Sequence, residues 1–432
     1  MKQTARIIST YSADAFGVCS ALFELGGMTV MHDASGCNST YTTHDEPRWF
    51  DMDSMVYISG ISEIEAIMGD DEKLIDDIVD AASNLKPAFI AVCGTPIPMM
   101  TGFDFKAVAE VIEMRTGIPA FGFPTSGMKT YIDGASMALA GIAERLVDDV
   151  ATEDVARPLG MILKAGGGNT PAMFEKVRVN ILGLTPLDFS VNGSDASISS
   201  WLEENNYEVI SKWAMGSSLD ELRLAGRADA NLVVSAAGLG AAEVLYKRFG
   251  IPYVIGLPIG DDQKQMIMDA LNDVAFESRA VRHSEHADER VGTQSIEILS
   301  DLADAVEYEY DLSAGAAVNN SGTDVVIIGE GITSLALAAA IEFETGRLTK
   351  VLCATECPEY ILRSCDRLTP DEDDIIPELD GANVIIADPM YKPICPESAK
   401  FISLPTEAFS GRIYRKAIPD LIKEPEVILS QL

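Results

Sequence analysis

Seven cysteines and four histidines are the side chains of this sequence best suited to redox or metal chemistry, and Cys37 stands out among them. It lies in Val30-Met31-His32-Asp33-Ala34-Ser35-Gly36-Cys37-Asn38, just after an apolar strand-like run. A thiol behind a glycine-containing turn at the carboxyl end of a buried strand sits where parallel-sheet proteins place chemistry, and thiolates in reducing compartments serve as metal ligands or nucleophiles. The expectation is an iron–sulfur site, a [4Fe-4S] or larger cluster. Cys93, in Ala91-Val92-Cys93-Gly94-Thr95-Pro96, and Cys19, on a helix expected over 11–25, are the other candidate ligands. Three thiolates brought to one sheet edge can anchor such a cluster, whose irons each need a ligand, with a partner chain completing the set. The alternative is that Cys19 and Cys93 are small buried core residues.

A second group follows near the carboxyl end: Cys353 at a strand end, Cys357 shortly after it, Cys365 on an expected helix, and Cys395 after a further strand. A second metal cofactor at that edge is geometrically possible, although the group lacks a tight C-x-x-C pair and core cysteines are the competing reading. His32 and His44 flank Cys37. In Thr42-Thr43-His44-Asp45-Glu46-Pro47-Arg48-Trp49, His44 and Arg48 supply a titratable imidazole and a guanidinium suited to proton delivery or substrate positioning beside a redox centre. His32, His44 and Arg48 are therefore the candidate catalytic residues; the alternative is a polar loop against a partner subunit. His283 and His286 fall in an acidic polar stretch and read as solvent-exposed. Gly329-Glu330-Gly331-Ile332-Thr333-Ser334 partly matches a dinucleotide-binding turn. Gly166-Gly167-Gly168 lacks the Lys-Ser or Lys-Thr of a phosphate loop, so no ATP hydrolysis by this chain is expected.

The elements that must position these residues alternate regularly. Short Val/Ile/Met/Ala runs separate helix-length amphipathic segments, the pattern of βαβ units with parallel strands buried on both faces. Strands are expected at 28–31, 55–59, 88–92 and 120–123; at 159–163, 177–182, 208–213, 231–235 and 253–257; and at 324–328, 350–352, 383–387 and 401–404. Gly117-Ile118-Pro119 and Gly250-Ile251-Pro252 repeat one helix-stop signal. The 432 residues, 47% of them hydrophobic, suffice for several cores, giving domains 1–156 with the cluster, 157–260 and 321–432, and bridging helices with a loop over 261–320. With 67 acidic against 32 basic residues the formal charge is -35, which disfavours nucleic-acid and membrane docking. The amino terminus lacks a signal-peptide core and no stretch is long enough for a membrane span, so a cytoplasmic protein is expected.

The ordered motifs resemble the nitrogenase component 1 superfamily. His32-Asp33-Ala34-Ser35-Gly36-Cys37 is similar to the family's His-Gly-x-x-Gly-Cys, and Ala66-Ile67-Met68-Gly69-Asp70-Asp71-Glu72-Lys73-Leu74 to its Phe-Gly-Gly-x-x-x-Leu helix start. Thr116-Gly117-Ile118-Pro119, Tyr246 to Tyr253, Ala387-Asp388-Pro389 and the stretch from Leu404 to Tyr414 extend the likeness over nearly the whole chain. The resemblance implies three Rossmann-like α/β domains and pairing with a homologous component 1 subunit as a homo- or hetero-oligomer. It also implies an iron–sulfur cluster at that interface and electrons from an ATP-hydrolysing iron protein. Cys37 carries over directly, whereas Asp33 replaces a glycine, Ser12 stands where many members have an early cluster cysteine, and Pro96 where they have the later one. Ser12 is then a weaker oxygen ligand, and Cys19 and Cys93 are displaced neighbours. The implied activity is a nitrogenase-like oxidoreductase with an unidentified substrate; no counterpart of the cysteine and histidine that hold the nitrogenase cofactor is placed, which argues against dinitrogen. The alternative is a non-catalytic scaffold for assembly of a metal cofactor.

Overall fold

The computed structural model describes residues 7, 12–34, 46–69, 71–149, 176–283 and 323–432. Cys37, His44, His286, the glycine run 166–168 and the strand expected at 159–163 lie outside them. The described residues form three sheets, and their strands pair in parallel. The first holds β1 (Met28–His32), β2 (Met55–Ile58), β3 (Ile90–Gly94) and β4 (Ala120–Phe123) in the order β2-β1-β3-β4. The second holds β5 (Val177–Leu182), β6 (Tyr207–Lys212), β7 (Ala230–Val233) and β8 (Tyr253–Ile255) in the order β6-β5-β7-β8. The third holds β9 (Val325–Gly329), β10 (Thr349–Cys353), β11 (Arg367–Leu368), β12 (Val384–Ala387) and β13 (Lys400–Ser403) in the order β11-β10-β9-β12-β13.

In each sheet the first strand in sequence has its successors on opposite sides, so the connections diverge at β1/β3, β5/β7 and β9/β12. Such divergence opens a crevice at the strand carboxyl ends, where α/β proteins collect their functional groups. The central strands are apolar on both faces because helices cover both: β1 and β3 are buried throughout. Helix Phe105–Thr116 ends where its sequence signal places the end. Gly117 takes φ 71° and donates its N–H to the Glu113 carbonyl, and Gly250 at φ 67° does the same to Tyr246.

Helix Tyr131–Arg145 ties the units together. It lies against helix Asp14–Leu22 so closely that a Cβ on Gly17 would fall 2.0 Å from the Tyr131 carbonyl oxygen, and one on Gly134 would fall 1.8 Å from that of Asp14. It also meets helix Leu239–Phe249 of the second unit, where the Gly240 N–H donates to Ser136 Oγ at 3.1 Å. One continuous apolar core runs through all three units, with a smaller cluster on the outer face of the first sheet.

Two elements depart from the sequence reading. Cys365 stands in a turn rather than on a helix, because buried Asp366 accepts the Val351 N–H at 2.7 Å and Arg363 Nε at 2.8 Å, pinning the segment to the sheet edge. That pinning creates β11, two exposed residues with no apolar run to announce them. From the region expected to bridge domains, the structure describes the 23-residue helix Asp261–His283.

Candidate functional site

The first sheet brings two predicted ligands together. Cys19, on helix Asp14–Leu22, and Cys93, near the end of β3, are neighbours, and both are fully buried in the core. Cys93 lies in register with Met31 of β1 and Phe123 of β4. Burial first, and then the neighbouring Cys93, push the Cys19 thiol well up, so Cys19 is a protonated thiol within packed apolar side chains. Two neighbouring thiols do not by themselves make the ligand set of an iron–sulfur cluster. Among the described residues no group of three His, Cys, Asp or Glu side chains is arranged to hold a metal ion. Ser12 is buried, with its N–H on the Ala408 carbonyl and its own carbonyl accepting from Tyr131 N–H.

His32 ends β1 beside Gly94. Its Nδ1 is 2.9 Å from Ser59 Oγ, and its ring centroid lies 4.5 Å from that of Phe103. Burial lowers its pKa to about 4, against the opposing pull of Asp33 and Glu65, so the ring is neutral at neutral pH. Arg48 is engaged within the chain. Nε donates to Glu46 at 2.6 Å, Nη1 to Glu24 at 2.8 Å and to the Ala214 carbonyl at 3.0 Å, and Nη2 to the Ser20 carbonyl at 2.8 Å. Its guanidinium also lies 4.8 Å over the Phe23 ring. This occupies the whole fork and makes Arg48 a tether between the first and second units.

A buried polar junction joins the three units where their switch points meet, and sequence reasoning missed it. Tyr131, opening its helix, donates to Asp188, which also accepts from Thr185 Oγ at 2.7 Å. Glu330 follows β9. One of its oxygens accepts the Thr333 N–H at 2.8 Å and the other the Ala236 N–H, just beyond β7, at 3.0 Å. Burial first, and then the Glu330 charge, raise Asp188 to about 7, and burial likewise raises Glu330. Asp188 is therefore partly protonated near neutral pH, with the Glu330 charge close by. Because Glu330 caps its own helix, the turn read as a dinucleotide site presents a carboxylate where a pyrophosphate would need free N–H groups.

Beside the junction lies a cavity of about 510 Å³, walled by all three units, with Asp133, Ser136, Glu243, Ala354, Glu356 and Cys357 among its lining. Cys357 neighbours Cys353, the last residue of β10, and both sulfurs lie close to Gly331. Cys395 and Cys365 do not join them. Cys395 Sγ donates to the Tyr391 carbonyl at 3.3 Å, and Cys365 Sγ lies 3.6 Å from the Asp366 carboxylate. The cavity lining thus carries one sulfur and several carboxylates. Among the described residues no helix is long and apolar enough to cross a membrane.

Comparison with known proteins accords with this geometry. The structure titled "Nitrogenase Cp1 at pH 6.5" superposes with a TM-score of 0.64 at 18% identity, covering 100% of this chain and 94% of that one, which is likeness of fold. The family description "Nitrogenase component 1 type Oxidoreductase" matches residues 15–384. The chain belongs to the nitrogenase component 1 family. Within that family it is similar to the nitrogenase iron-molybdenum cofactor biosynthesis protein NifN of Bradyrhizobium diazoefficiens, 26% identical over 55% of this chain and 52% of the relative. It is similar also to the biosynthesis protein NifE of Clostridium pasteurianum, 25% identical over 58% and 51%. The nitrogenase molybdenum-iron protein alpha chain of the same organism is 26% identical over 51% and 37%. The matched stretch spans about half the length, or less, of these curated component 1 relatives.

Proposed function

We propose that this chain is a scaffold subunit that holds a metal cofactor in the three-unit cavity and hands it on, working beside a homologous component 1 subunit. The observation that carries the reading is the cavity of about 510 Å³, with Cys357 at one wall and Asp133, Glu243 and Glu356 around it. That volume admits a multi-atom group rather than a single ion. The likeness to NifN and NifE, both named for iron-molybdenum cofactor biosynthesis, supports it. A bound metal–sulfur cofactor would supply the redox and Lewis-acid chemistry. The chain's own part is to offer Cys357 as a soft donor, to present carboxylates to harder metal atoms, and to keep the Asp188 proton beside the cavity. A separate iron–sulfur cluster anchored by Cys37, with Cys93, Cys19, Ser12 and a partner subunit as further ligands, belongs to the same proposal.

The test is transfer. The chain, isolated without oxygen together with its homologous subunit and loaded with cofactor, is mixed with a cofactor-free component 1 acceptor, and metal is followed in both. The scaffold reading expects metal to leave this chain for the acceptor without substrate turnover. Sustained multi-electron reduction that depends on ATP and on an iron protein as electron donor would overturn it. That result would favour the second reading, a nitrogenase-like reductase, which the likeness to the molybdenum-iron protein alpha chain supports.

A further inference from the structure

We infer that Cys353 and Cys357 form a dithiol that closes to a disulfide by exchange with a small-molecule disulfide entering through the cavity. The two sulfurs border the same space, the one left by the missing side chain of Gly331. Their accessibility is unequal: Cys353 is fully buried, whereas Cys357 keeps 8% of its surface and lines the cavity. An exchange pair needs that asymmetry, one sulfur to meet the reagent and one behind it to resolve the mixed disulfide. Backbone geometry holds them there. Cys353 Sγ donates to the Thr355 carbonyl at 3.4 Å, and the missing side chain of Gly331 makes the room, since a Cβ there would lie 2.7 Å from Cys357 Sγ and 3.3 Å from Cys353 Sγ. A disulfide also asks less of the site than a metal would, because it needs no third donor. This inference does not depend on the scaffold reading.

The exchange balances. Cys357 sulfur bonds to one sulfur of the reagent, and the other leaves as a thiol carrying the Cys357 proton. Cys353 sulfur then displaces the second reagent thiol from Cys357, its own proton leaving with that thiol. The protein dithiol is oxidised by two electrons and the reagent disulfide is reduced to two thiols. The groups facing Cys357 are Cys353, Glu330 and Asp366.

Oxidised glutathione is the probe, applied to the native full chain, followed by alkylation of remaining thiols and peptide mass spectrometry. The expected result is a peptide lighter by two hydrogen atoms that joins Cys353 to Cys357, with Cys19 and Cys93 unoxidised. In Cys353→Ser the expected product is a glutathione adduct that persists on Cys357, at least tenfold more abundant than in wild type. Recovery of Cys353 and Cys357 as alkylated thiols under conditions that oxidise both in the urea-unfolded chain would overturn the inference, as would equal adduct levels in wild type and Cys353→Ser.

Discussion

The molecule holds two pairs of neighbouring thiols in opposite settings. Cys19 and Cys93 meet inside the first-sheet core, both fully buried and walled by packed side chains. Cys353 and Cys357 meet at the carboxyl edge of the third sheet, with one sulfur on a cavity shared by all three units. The first pair is 74 positions apart in sequence and the second four, yet the fold makes each a pair of neighbours. Proximity alone therefore does not define a reactive site. The two pairs differ in access and in neighbouring charge.

The largest expected effect comes from breaking the seal over the first pair. Gly134→Ala drives a methyl into the Asp14 carbonyl, with 1.8 Å available, so helix Asp14–Leu22 must move. We expect a loss on the order of 3 kcal/mol or more, read by thermal unfolding, and fast alkylation of Cys19 and Cys93 in the native protein. Next comes the junction beside the open pair. Asp188 is raised from 3.8 to about 7 in the folded chain, so its contribution to stability is fully present below pH 3.8 and lost as pH rises through about 7. Asp188→Asn should remove that slope, worth roughly 2–4 kcal/mol across the window. Melting temperature against pH checks it, and an unchanged slope would remove the Asp188 proton from the account.

His32, near the sealed pair, works in the opposite sense. Its pKa is lowered from 6.5 to about 4, so its contribution is fully present above pH 6.5 and lost as pH falls through about 4. His32→Gln should flatten that acid limb by about 3 kcal/mol at most. The two limbs overlap between roughly pH 4 and 6.5 and partly cancel in wild type, so the single variants should curve in opposite directions. The smallest contrast is between the thiols themselves. Cys93→Ala should cost about 1–2 kcal/mol because it leaves a void in a close-packed core, while Cys357→Ala, at a cavity wall, should stay within about 0.5 kcal/mol. Urea unfolding of the two variants checks the order.

Much of the architecture was legible in sequence because parallel strands buried on both faces are nearly uniform apolar runs. Ala120–Phe123 and Val177–Leu182 stand at the positions their patterns predict. Gly117 and Gly250 were readable as helix stops because a left-handed cap has so few other occupants. The two-residue β11 was not, since a buried Arg363–Asp366 contact rather than apolarity creates it. The junction was hidden for a related reason. Asp188 and Glu330 read locally as helix-capping residues, and only the packing of three units brings them together. Their one sequence signal is position, since each follows the first strand of its unit, where connections diverge. Arg48 carried the opposite risk: a charged residue near Cys37 in sequence suggested chemistry, and its fork is filled by Glu46, Glu24 and backbone carbonyls.

The central claim, that the three-unit cavity holds a metal cofactor, is tested most directly by iron and acid-labile sulfide analysis of the chain purified without oxygen with its homologous subunit. Wild type is compared with Glu243→Trp, which places a bulky side chain at the cavity rim, and with Cys37→Ala. The account predicts that each variant melts as wild type does and loses a separate part of the iron, Glu243→Trp the cavity share and Cys37→Ala the cluster share. Full iron and sulfide in Glu243→Trp would contradict it.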